Sequence, residues 1–177
     1  MAKKRIKTAY LYGPIEFTSN PDSGWRYVLE KLLKPLGIKC INPVRVSYKV
    51  GKDIKDNATY VRKLKREGRL CDLDVFMDKI WSQNKKGVDP SDVLICWVGT
   101  RKELRALNSS GGSYRELCRG KRKGKRLFLI CEAGLEYANS HLLHIIRSSG
   151  AIFEWAEELR QCLEYYNKTG KWNYIHK

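Results

Sequence analysis

The sequence has no apolar run near the roughly 20 residues that a membrane span needs. Its first residues, MAKKRIK, lack the apolar stretch of a secretory signal. A soluble, cytoplasmic protein without membrane partners is expected. No CxxC pair occurs. The six cysteines, Cys40, Cys71, Cys96, Cys118, Cys131 and Cys162, are scattered, which suits reduced thiols better than bridges. Cys40, Cys96 and Cys131 stand in or beside strand-like apolar runs, where a thiol acts as a small hydrophobe. Histidine is scarce. His141 and His144 share a helix face, but no third ligand is near them in sequence, so no metal site is expected. No cofactor is expected either. No long linker and no internal repeat break the 177 residues, which are enough for one domain with one core.

Acidic side chains are few as well: 19 Asp and Glu against 35 Lys and Arg, a formal charge of +16. Such an excess attracts phosphate, on a small substrate or along a nucleic acid, and does not choose between them. The basic residues gather at 3–7, 49–69 and 119–126. The last cluster, RGKRKGKR, reads equally as a phosphate-binding patch or as a solvated helix end, where cations are favoured.

The apolar pattern alternates between strands and helices. Strands are predicted at 8–12, 38–41, 93–98, 127–131 and 151–153. The run 93–98 is nearly all apolar, as a strand buried on both faces requires. Helical spacing predicts helices from Trp25 to Leu36, over 72–81, 112–119 and 141–147, and a closing helix from Trp155 to Tyr166. A weakly amphipathic helix is expected around Tyr60, Val61 and Leu64. Residues 87–92 read as a turn and 101–108 as a charged loop. The tail holds Trp172 and Tyr174 and is expected to dock. Strands alternating with helices imply a parallel sheet covered on both faces, with ligands beyond the carboxyl ends of its strands.

One stretch stands out: Ser91-Asp92, the strand 93–98, then Ser109-Ser110-Gly111-Gly112-Ser113-Tyr114-Arg115-Glu116. A short Gly/Ser turn before a helix binds anions through free backbone N–H groups. A glutamate at that helix start is expected to be held ionised by the helix dipole. The layout suits an enzyme acting on a nucleotide or sugar phosphate.

Taken with Tyr10-Leu11-Tyr12-Gly13-Pro14-Ile15 on the first strand and Ser110-x-Gly112-x-x-x-Glu116-Leu117 before a basic turn, this order of motifs resembles the nucleoside 2-deoxyribosyltransferase family, which includes the 2′-deoxynucleoside 5′-phosphate N-hydrolases. The resemblance spans most of the chain, and residues 44–82 match poorly, as a basic insertion or lid. It implies a single Rossmann-like or flavodoxin-like α/β domain with a mostly parallel five-stranded sheet and helices on both faces. It also implies a homo-oligomer and a nucleotide substrate.

By resemblance, Glu116 is the nucleophile that attacks the sugar C1′, and Tyr10 holds its carboxylate. Gly13 lets the backbone approach the substrate, and Pro14 and Ile15 form the wall beside the base. Ser110 stands where transferases of free nucleosides often carry an aspartate for the 5′-hydroxyl. With Gly111 and Gly112 it implies a 5′-phosphate held by hydroxyls and backbone N–H groups. Asp92, by the same resemblance, more often stabilises strand entry than contacts substrate, and joins the substrate-binding set in second place. The chain departs from the pattern at Asn84, where an aspartate usually helps to protonate the leaving base. Asp72, Asp74 or Asp78 could replace it. It departs also at Glu16, where phosphate-specific relatives can have arginine, so that Arg26 or Arg115 would have to help.

The leading expectation is cleavage or transfer of the N-glycosidic bond of a (deoxy)nucleoside 5′-monophosphate. A nucleotide- or nucleic-acid-binding module without catalysis, an N-glycosidase acting on a base in DNA or RNA, and hydrolysis of another N-glycoside remain open beside it.

Overall fold

The computed structural model describes residues 5–13, 24–45 and 57–174. Pro14, Ile15 and Glu16, and part of the 44–82 segment, lie outside the described residues.

Five strands form one sheet: β1 (Thr8–Leu11), β2 (Lys39–Ile41), β3 (Val93–Val98), β4 (Arg126–Cys131) and β5 (Ala151–Phe153). All neighbours are parallel, in the order β2-β1-β3-β4-β5. This is the doubly wound, flavodoxin-like order, in which the chain reverses its winding between β1 and β3. Side chains alternate across the sheet with the period of two that a strand dictates. Ala9, Leu11, Val93, Ile95, Phe128 and Ile130 face one core; Tyr10, Tyr12, Leu94, Cys96, Leu127 and Leu129 face the other.

Among the described residues the longer helices are α1 (Gly24–Leu33), α2 (Asn57–Arg66), α3 (Leu70–Val88), α4 (Arg101–Ser109), α5 (Gly111–Arg122), α6 (Ser140–Arg147) and α7 (Ala156–Thr169). Leu29 and Leu33 of α1 and Leu159, Cys162 and Leu163 of α7 fill the first core. Val88, Leu104, Leu107, Leu117, Leu142 and Ile146 bring α3 to α6 onto the second. In the tail, Trp172 stacks on Tyr166 with ring centroids 4.0 Å apart and reaches Phe128 at 5.4 Å, so the tail docks as expected.

Three expectations are corrected. Residues 101–108 form α4 rather than a loop. Thr100 Oγ1 accepts from the Glu103 N–H, and Glu103 Oε2 accepts from the Thr100 N–H. This reciprocal cap opens a helix whose Leu104 and Leu107 are buried. Helix α3 runs past 81 to Val88, so Gly87 belongs to the helix and not to a turn. In the closing helix, Trp155 is exposed and stands before the first turn, where Glu158 accepts from its N–H.

As a substrate-binding candidate Asp92 is likewise corrected, in favour of its strand-entry role. It sits at the amino end of β3, where Oδ2 accepts from the Lys7 and Thr8 N–H groups at 2.8 and 3.0 Å and from Thr8 Oγ1 at 3.1 Å. Its carboxylate staples β1 to β3 at the edge of the sheet opposite to Gly13.

Candidate active site

Helix α5 packs on the second face of the sheet through Ser113, Glu116, Leu117 and Gly120, an i, i+3, i+4, i+7 stripe. Gly120 allows the contact: a Cβ there would stand 2.8 Å from Leu94 Cδ2. Glu116 is thus the one carboxylate on a stripe whose other members are small or apolar, and it is 2% exposed.

Two side chains from distant elements meet it. Tyr10 of β1 donates its hydroxyl to Oε1 at 2.7 Å. Asn84 of α3 donates Nδ2 to the same oxygen at 2.8 Å. Oε2 has no hydrogen-bond partner among the described residues, and neither has Asn84 Oδ1. Burial pushes the Glu116 carboxyl up to about 7, against the opposing pull of the Tyr10 hydrogen bond, the Arg26 charge, the Gly13 backbone amide and Asn84. The expected helix-start position, with the dipole keeping the group ionised, is therefore corrected. Helix α5 begins at Gly111, Glu116 is in its second turn, and desolvation is the largest influence on its ionisation. The Tyr10 hydroxyl is raised well above its usual range, by burial first and by Glu116 second.

The countercharge is Arg26 of α1, buried at 1% exposure. Its Nη2 donates to the Gly13 carbonyl at 3.0 Å and its Nε to the Leu11 carbonyl at 3.3 Å. Its guanidinium lies 4.3 Å from the Trp25 ring centroid. Arg26 thus holds the carboxyl end of β1 from within, a different task from meeting a phosphate at the surface. Arg115, the other cation considered, is exposed on α5. Gly13 has φ 138°, a backbone state that side chains disfavour. A Cβ there would meet Cys96 Sγ at 3.1 Å and Arg26 Nη2 at 3.2 Å. Burial raises the Cys96 thiol far above its usual range, so it stays protonated.

Ser110 caps α5: its Oγ accepts from the Ser113 N–H at 3.2 Å and from Ser113 Oγ at 2.9 Å. Gly111 and Gly112 are exposed beside it. Asp72, Asp74 and Asp78 are exposed on α3, and Asp72 pairs with Arg69 at 2.7 Å, so none of them joins Glu116. On that helix Phe76, Asn84, Gly87 and Val88 are the buried positions. Arg119 of the basic cluster forks onto Asp89 with two bonds of 2.6 Å. Among the described residues no group of His, Cys, Asp and Glu could hold a metal ion, and no helix is long and apolar enough to cross a membrane.

The structure therefore brings together Glu116, Tyr10, Asn84 and Gly13, with Ser110 to Gly112 at the head of the helix that carries Glu116. It does not bring Asp92 to them. Two participants escaped the sequence: Arg26 as a buried countercharge, and Gly87, against which Tyr10 packs. The spacing Asn84-x-x-Gly87, one helical turn, is the signal that points to both Asn84 and Gly87. No family model, no curated protein and no solved structure matches this chain.

Proposed function

We propose that the chain cleaves or transfers the N-glycosidic bond of a nucleoside 5′-monophosphate, with Glu116 as nucleophile. The observation that carries this reading is the division of labour within one buried carboxylate. Oε1 is held by Tyr10 and Asn84, and Oε2 has no hydrogen-bond partner among the described residues. A carboxylate fixed through one oxygen is pre-aimed through the other, the requirement for attack on an anomeric carbon.

In the reaction Oε2 bonds to C1′ as the C1′–N bond breaks, and the electron pair leaves with the base. Positive charge that builds on the sugar ring meets the negative carboxylate. Hydrolysis of the ester then gives the hydroxyl of water to C1′ and its proton to the base nitrogen. A second base in place of water gives transfer. Ser110, Gly111 and Gly112 lie at the amino end of α5, where backbone N–H groups favour an anion. An overall charge of +16 favours phosphorylated substrates over neutral ones. The adverse feature is the carboxyl pKa of about 7, which leaves part of the protein protonated at neutral pH.

The test is release of free base from a panel of ribo- and deoxyribonucleoside monophosphates, followed by chromatography. Turnover that Glu116→Gln and Glu116→Ala abolish, with a sugar-phosphate adduct on Glu116 by mass spectrometry, supports the proposal. Folded protein that turns over none of the panel overturns it.

The same net charge supports a second reading, binding of nucleic acid. Steeply salt-dependent binding of DNA or RNA that Glu116→Gln leaves unchanged would favour that reading over catalysis.

A further inference from the structure

We propose that Asn84 reads the sugar 2′-hydroxyl, and that the chain acts on ribonucleotides in preference to 2′-deoxyribonucleotides. This rests on the glycosidic reading above and narrows it.

Asn84 is 6% exposed and Glu116 2%. Each carries one buried oxygen that has no hydrogen-bond partner among the described residues, Oδ1 and Oε2. Buried acceptors of this kind are rare in proteins, because leaving water without a replacement donor costs free energy. The two oxygens are not independent. Each is bonded to the same carbon as an atom of the 2.8 Å Nδ2–Oε1 hydrogen bond, so both sit on the two groups that this bond joins. With the carboxyl ionised, as attack requires, that bond also fixes which way the amide points. Turned over, it would set Oδ1 against Oε1, acceptor against acceptor. A proton on Oε2 would make that atom a donor and still leave Oδ1 unmatched.

The stereochemistry of the reaction says what would match it. The base of an ordinary nucleotide is on the β face of the sugar, so displacement brings the attacking oxygen to the α face. In ribose the 2′-hydroxyl projects from that same face, on the carbon next to C1′. An oxygen attacking C1′ therefore works beside that hydroxyl. An acceptor on the group that already grips the attacking carboxylate is placed to take its proton. A 2′-deoxy sugar has only hydrogen there, and Oδ1 stays unpaired once water is excluded. Sites with a buried polar group discriminate strongly against a ligand that lacks its partner. The 3′-hydroxyl lies on the same face but one carbon further, and it is common to both sugars.

The experiment compares matched pairs, one base on ribose 5′-phosphate, 2′-deoxyribose 5′-phosphate and 3′-deoxyribose 5′-phosphate, by kcat/KM for base release. Wild-type protein is expected to favour ribose over 2′-deoxyribose by about tenfold or more. Asn84→Ala is expected to bring that ratio toward one, mainly by slowing the ribonucleotide. Equal rates, a preference for 2′-deoxyribose, or a larger loss with the 3′-deoxy sugar overturns the assignment. So does an Asn84→Ala protein that keeps the wild-type ratio. The wild-type comparison stands without the variant should Asn84→Ala fail to fold. If no nucleotide is turned over, the glycosidic reading fails, and the ratio of dissociation constants for the same compounds, by calorimetry on wild-type protein, still decides the sugar preference.

Discussion

Gly87 lies against the ring of Tyr10: a Cβ placed on Gly87 would stand 2.6 Å from Cε2 and 2.8 Å from Cδ2 of that ring. The absence of a side chain at this position lets α3 approach β1 closely enough for Asn84, one turn earlier, to reach Glu116. Gly87→Ala is therefore expected to push α3 off the sheet. The cost is about 1–3 kcal/mol, as for other overpacked cores, with a fall in base release beyond what stability explains. Denaturant titration and kcat/KM measured on the same preparation check both. A variant as stable and as active as wild type would show that α3 shifts freely.

The carboxyl pKa sets a pH profile. An attacking carboxylate must be ionised, and burial holds Glu116 at about 7. The logarithm of kcat/KM is expected to rise with pH with unit slope below that value and to level off above it. Rates of base release between pH 5 and 9 test this. A profile already flat from pH 5 would mean that the working carboxyl is not the buried one.

The same shift acts on stability. Between the ordinary glutamate value of 4.5 and about 7, the folded chain holds a proton at Glu116 that the unfolded chain has released. The contribution of Glu116 to stability thus falls as pH rises through that window, by on the order of 3 kcal/mol in all. Glu116→Gln removes the titration. Its stability relative to wild type is expected to be higher at pH 8 than at pH 5, read as the difference in urea midpoints.

Tyr10→Phe keeps the ring against Gly87 and deletes only the donor to Oε1. The hydrogen bond from Tyr10 pulls the carboxyl pKa down, so its loss moves the acid limb of the rate profile to higher pH. At neutral pH kcat/KM is expected to drop roughly tenfold or more, the worth of a hydrogen bond to a charged acceptor. A limb that stays in place would argue against the contact.

Asp92→Ala distinguishes stapling from substrate binding. Losing the bonds to Lys7 and Thr8 is expected to lower stability by about 1–3 kcal/mol. The KM for any nucleotide should stay as in wild type. A raised KM with unchanged stability would return Asp92 to the site.

Much of the scaffold was legible because its signals are local. The runs 93–98 and 151–153 emerged as strands with those bounds, since continuous apolar residues between turns have few other uses in a covered parallel sheet. Helix α4 was missed although Thr100-x-x-Glu103 is a capping signal in plain view, because its many charges resembled a loop. Gly87 was mistaken for a turn because glycine marks turns and close packing with the same letter. Within the site, Glu116 and Tyr10 were legible from motif order. Asp92 takes the strand-entry role that was ranked above substrate contact, because a carboxylate at a strand start readily accepts from the neighbouring strand's N–H groups.

By itself the sequence determined a parallel α/β sheet and a glutamate on the helix that follows the Gly/Ser turn, since both follow from the pattern along the chain. Only the tertiary structure decided how deeply that carboxylate is buried and what joins Tyr10 around it: an amide 32 residues away and a buried arginine from α1. The ionisation of Glu116 depends on the water it loses and on the dipoles and charges it faces, and these come from segments that meet only when the chain folds.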